Sequence, residues 1–133
     1  MQRLSNCKIE TEIVEIEGIS GADQYFEIEV LDSDGRRSKL VFDFVWDMSY
    51  YHHGDTQERV HSLLQGSEKG LARSSIYVVE ESNYIEYFKD QVSGTRPTDK
   101  LTHYLVIDAL GASVDILTII EPVLLKLDVE DAV

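Results

Sequence analysis

The chain has 133 residues, with 25 acidic against 12 basic and a formal net charge of −13. That length suits one α+β domain spanning 1–133, and a hydrophobic share of 43% is enough for a core, which excludes a disordered chain. The acidic balance excludes nucleic-acid binding, which needs a basic footprint, and disfavours anionic membrane surfaces.

The first residues, MQRLSNCKIETE, lack the apolar core of a signal peptide. The longest apolar runs are about five residues, far short of a membrane span, so a cytoplasmic protein is expected. Cys7 is the only cysteine, so neither an internal disulfide nor a cysteine-based zinc site can form.

Residues 8–17, KIETEIVEIE, read as a strand whose alternation slips at Ile13-Val14, the mark of a bulge. Residues 24–31 alternate cleanly, with Phe26, Ile28 and Val30 on one face. Residues 38–47 follow, with Leu40, Phe42, Phe44 and Trp46 on one face. Matching these apolar faces requires a loop with an odd number of residues. Ser33-Asp34-Gly35, with Gly35 left-handed, supplies it and sets Glu29 opposite Lys39.

Asp55-Thr56-Gln57-Glu58 reads as a capping box opening a helix that carries Val60, Leu63 and Leu64 and stops near Gly66. Residues 75–80 read as a strand. Asn83 to Glu86 open a second helix with an Ile85, Phe88 and Val92 stripe that Gly94 ends. Residues 102–109 and 113–120 read as a hairpin, apolar on both faces and so central in its sheet. The tail after Glu121-Pro122 adds a short strand. The expected fold is a mostly antiparallel sheet of five to six strands, with two helices packed on one face.

No phosphate loop, dinucleotide fingerprint or nucleophile elbow is present, and no cofactor is implied. His52, His53 and Asp55 sit together in YYHHGD and compose the one cluster with metal-ligand chemistry, although adjacent side chains rarely converge on one ion. His61 on the first helix and His103 on a strand read as structural, and a meeting of His53 with His103 is beyond what spacing can show. Cys7 has only Lys8 as a basic neighbour, which does not make a reactive thiolate. Asp43 and Asp47 share a strand face but stand about 13 Å apart, too far to share a metal or a proton. A Gly111-Ala112 turn would set Asp108 against Asp115, and opposed like charges demand a cation, a basic partner or a shifted register.

The most coherent feature is a set of carboxylates on the strands: Glu10 and Glu12, Glu27 and Glu29, then Asp43 and Asp47. In the second and third strands they lie opposite the aromatic face, with Tyr25 among them as an aromatic anchor. They read as a solvated sheet face that resists edge pairing, or as a docking face for a basic protein.

The run FDFVWDM after an acidic hairpin, NYIEYF on a helix, then HYLVIDA and a Glu-Pro pair resemble small acidic bacterial immunity-type proteins. The resemblance implies a non-enzymatic domain that neutralises a basic toxin by occluding it. The alternatives are a small metal-dependent hydrolase at His52, His53 and Asp55, or a homo-oligomeric structural protein, such as a homodimer joined through an apolar face.

Overall fold

The computed structural model describes residues 2–52, 55–65, 67, 71, 73–92 and 100–127, the side chains of 55–57 excepted. In chain order the elements are β1 (Arg3–Asn6), β2 (Ile13–Ala22), β3 (Tyr25–Asp32), β4 (Arg37–Phe42), β5 (Val45–Tyr51), α1 (Asp55–Gln65), β6 (Ile76–Glu80), α2 (Asn83–Val92), β7 (Thr102–Ile107), β8 (Ser113–Thr118) and β9 (Val123–Lys126). Every strand pairing is antiparallel.

The strands do not form one sheet of five to six. They divide between a five-stranded sheet, β1-β6-β7-β8-β5, and a four-stranded sheet, β2-β3-β4-β9. The division arises at Asp43-Phe44, inside the segment expected to be one strand. Phe44 takes a left-handed backbone with φ 50°, and its amide donates to Asp43 Oδ1. The Val45 amide donates to the Gln24 carbonyl, and Thr118 Oγ1 donates to the Asp43 carbonyl. The chain therefore turns a corner and leaves β4 in one sheet and β5 in the other. Leu40 and Phe42 are fully buried, whereas Phe44 is exposed, so the expected four-residue apolar face ends at Phe42.

The two sheets enclose the main core. Ile28, Val30, Leu40 and Phe42 come from the four-stranded sheet, and Ile76, Val106, Val114 and Ile116 from the five-stranded one. The Phe42 and Tyr104 rings meet edge to face at 6.0 Å. Cys7 is buried in this cluster, which gives it a packing role. Strand side chains alternate, so the five-stranded sheet has a second face. There Leu4, Tyr77, Val79 and Leu105 pack against Leu63 and Val60 of α1. Helix α2 sets Phe88 against Trp46 of β5 and Tyr84 against His103 of β7. With two sheets present, a single sheet carrying both helices on one face does not describe the molecule.

The β3–β4 register is the one expected: Phe26 opposes Phe42, Ile28 opposes Leu40 and Glu29 opposes Lys39. Gly35 takes φ 80°, and Asp32 Oδ1 accepts the amides of Asp34 and Arg36, closing the three-residue loop. The β2–β3 register shifts between Ile13 and Glu15, where the alternation slips in the sequence. The 8–17 segment divides, however. Residues 8–12 lie outside any strand, and β2 runs on to Ala22.

The β7–β8 hairpin is central in its sheet. Its register is shifted from a Gly111-Ala112 turn: Ile107 opposes Ser113, and Leu105 opposes Asp115. Asp108 sits in the turn instead, where its Oδ1 accepts the amides of Leu110 and Ala112 and its Oδ2 accepts the amide of Ile16. The two carboxylates never oppose each other. No helix among the described residues is long and apolar enough to cross a membrane.

Candidate functional site

The expected docking residues are dispersed. Glu10 and Glu12 precede β2, and Glu12 pairs with Arg73 at 3.0 Å. Tyr25, Glu27 and Glu29 lie on β3 in the four-stranded sheet, while Asp43 marks the corner. Asp47 belongs to β5 in the other sheet. The idea of one acidic face shared by all seven is corrected by the passage of the chain between sheets.

The β3 carboxylates are also partly compensated. The Tyr25 hydroxyl donates to Glu27 Oε1 at 2.8 Å, which holds the Glu27 carboxyl below its ordinary range and the phenol above its own. Lys39 Nζ adds an ion pair to Glu27 at 3.4 Å, and Arg37 holds Glu17 at 3.0 Å.

A better-built site lies on the helix-bearing face of the five-stranded sheet. His103 on β7 and Asp115 on β8 are diagonal neighbours across the hairpin, and both are almost fully buried. His103 Nε2 and Asp115 Oδ1 are 2.5 Å apart. From α1, the guanidinium of Arg59 reaches both carboxylate oxygens, at 2.6 and 2.5 Å. His103 Nδ1 meets Ser82 Oγ at 2.7 Å. The Nε2–H tautomer satisfies both ends: the imidazole donates to Asp115 and accepts from the Ser82 hydroxyl.

Burial alone would push the Asp115 carboxyl up. The hydrogen bonds from His103 and Arg59 outweigh it and hold the group below its ordinary value. The guanidinium of Arg59 also lies 5.8 Å from the Tyr51 ring centroid, a cation–π distance.

Above this network is an open cleft of about 340 Å³. Its walls include Tyr51, Tyr84 and Tyr87, with Ser49, Asn83 and Gln2 adding polar groups. The Tyr84 hydroxyl donates to Asp47 Oδ2 at 2.7 Å, and its ring meets His103 edge to face at 5.4 Å. Burial pushes the Tyr84 phenol well above its ordinary value, and the neighbouring Asp47 carboxylate adds to the shift. Tyr87 is 62% exposed and Tyr51 49%, so the cleft mouth carries aromatic surface held in water.

The Ser82–His103–Asp115 connectivity invites comparison with a nucleophilic triad, but the arrangement is that of a helix cap. Ser82 is buried and does not line the cleft. Its Oγ accepts the amide of Ile85, and its carbonyl accepts that of Glu86, as an N-cap residue does.

His52 is exposed, with its ring 6.0 Å from that of Tyr50, and His61 meets Gln65 on α1 at 3.0 Å. His53 and the Asp55 side chain lie outside the described residues. Among the described residues no group of three or more His, Cys, Asp or Glu side chains could hold a metal ion.

Sequence reasoning passed over Arg59, Ser82, Tyr84 and Asp115 as parts of one site. The available signal was His103 and Asp115, an imidazole and a carboxylate inside a hairpin that is largely apolar on both faces. Buried polar groups require partners, and a three-residue turn would have brought these two together. No family model, curated protein or solved structure matches the chain.

Proposed function

We propose that this chain is a non-enzymatic protein-binding domain of the immunity type, which engages and occludes a basic protein partner. The observation that carries the reading is the cleft mouth, where exposed Tyr51 and Tyr87 share a lining with Tyr84, whose hydroxyl donates to Asp47, on a chain of net charge −13. Long-range attraction would draw in a basic partner, and the tyrosines would then become buried anchors. The Arg59–Asp115–His103 network makes a rigid floor beneath them. The anchors thus move from Tyr25 and the carboxylates of the four-stranded sheet to the opposite side of the molecule.

The test is a titration of a basic toxin-class nuclease against the chain by calorimetry. Raising salt from about 0.05 M to about 0.5 M should weaken association by more than tenfold. Tyr51→Ala and Tyr87→Ala should each weaken it further; Tyr87→Ala should leave the thermal midpoint unchanged, and Tyr51→Ala should lower it only by the loss of the Arg59 contact. Binding that is indifferent to salt and to both tyrosines would sink the proposal.

A homo-oligomeric reading has its own observation. Phe44 and Ile120, whose carbonyls lie 3.1 and 3.5 Å from Thr118 Oγ1, are exposed, as are Val123 and Leu125 on β9 at the edge of its sheet. Sedimentation equilibrium decides it: a monomer over the full concentration range removes this reading.

A further inference from the structure

Away from the tyrosine cleft, the segment before β2 runs beside the β3–β4 turn, where the Ser33 amide donates to the Glu12 carbonyl. A second cleft of about 340 Å³ opens there. It shares no lining residue with the tyrosine cleft. Ser38 on β4 lies at its floor. The residue is only 3% exposed, and its neighbours on the inward face of β4 are Leu40 and Phe42. A serine buried so deeply ordinarily bonds through its hydroxyl. Ser38 Oγ has no hydrogen-bond partner among the described residues, and it is not sealed from the cleft, since no fully buried side-chain atom is left unpaired.

Four carboxylates line the same space, and Glu12 is paired with Arg73. Glu10 and Asp34 carry no ion pair or side-chain hydrogen bond among the described residues. Asp32 spends Oδ1 on the amides of Asp34 and Arg36, which leaves Oδ2. Half-buried Leu124 adds an apolar wall.

We propose that this cleft binds a primary ammonium group on an alkyl chain, with the Ser38 hydroxyl as floor acceptor and the Glu10, Asp32 and Asp34 carboxylates as walls. An ammonium has three donors and no acceptor, which suits one hydroxyl and several separate carboxylate oxygens. A guanidinium's planar fork matches both oxygens of a single carboxylate and has less use for a hydroxyl floor with separate walls. The methylene stem would lie along Leu124. Lys126 at the rim and Arg73 on Glu12 leave the carboxylates in excess. The ligand is either a lysine side chain of a protein or a free polyamine.

The experiment is an amide-resolved NMR titration with butylammonium, and with tetramethylammonium as a cation that lacks N–H donors. Butylammonium should give saturable shifts at Ser38, Asp34 and Leu124, and tetramethylammonium should not. Ser38→Ala should weaken binding about tenfold, the worth of one hydrogen bond to a charged group. Asp34→Asn, at an exposed turn, should also weaken it and provides the check if Ser38→Ala fails to fold. A blocked peptide with one lysine that binds more tightly than butylammonium assigns the site to a protein lysine. Spermidine binding with the peptide excluded assigns it to a free polyamine. Equal curves for the two small cations, or shifts that never saturate, overturn the proposal. Neither result touches the tyrosine cleft, so the two readings fail separately.

Discussion

Replacing Arg59 by leucine tests the buried ionic floor. Asp115 is 2% exposed and receives two hydrogen bonds from Arg59 and one from His103. Removing one partner of a fully buried pair costs about 3–5 kcal/mol, because the other charge cannot return to water. The Arg59 side chain is 35% exposed at the cleft, so water partly replaces it, and His103 remains. The expected loss is therefore about 2–3 kcal/mol. At a urea slope of about 1.5 kcal/mol/M, the unfolding midpoint falls by roughly 1–2 M.

Asp115→Asn should cost less, about 1–2 kcal/mol. Arg59 can then turn toward the solvent of the cleft, and the Asn carbonyl still accepts from His103. The pH dependence fixes the sign. The Asp115 carboxyl is held below its unfolded value, so its contribution is fully present above about pH 4 and is lost as pH falls through the depressed value. Urea melts of wild type and Asp115→Asn should therefore diverge at pH 7 and converge on acidification. If Asp115→Asn costs more than Arg59→Leu, or if the gap between wild type and Asp115→Asn is independent of pH, the ionic-floor argument is wrong.

Ser82→Ala removes both the α2 cap and the partner of His103 Nδ1, and should cost about 1–3 kcal/mol by chemical denaturation. Gly35→Ala should cost about 1–2 kcal/mol, since φ 80° strains any residue with a Cβ; a loss below about 0.3 kcal/mol would contradict the turn assignment. Phe42→Ala, at a fully buried ring between the two sheets, should cost about 3–5 kcal/mol. An effect under about 1 kcal/mol there would mean that the inter-sheet core is not as described.

How much of the fold was legible in the sequence follows from the range of each physical signal. Period-two alternation and turn chemistry act over a few residues, and the β3–β4 hairpin was legible to its register because Gly35 and two apolar faces left one loop length. Residues 38–47 were not, because alternation continues through Asp43-Phe44 while a left-handed Phe44 sends the chain into the other sheet. A left-handed non-glycine residue carries no local composition signal. It is held by distant partners, here Gln24 and Thr118.

The same reasoning explains why the carboxylates misled. Their spacing along each strand was correct, but which strands share a sheet is decided by tertiary pairing. Two sheets then placed Asp47 beside Tyr84 and left Glu27 with Tyr25 and Lys39. The buried network is the opposite case. His103 and Asp115 break an apolar pattern, and such breaks are informative because an unpartnered buried carboxylate is far costlier than an exposed one. In an acidic chain a carboxylate removed from water points to a site by its burial alone, whereas an exposed one does so only beside a buried polar group such as Ser38. The acids that dominate the composition report mainly on solubility and on the sign of any partner.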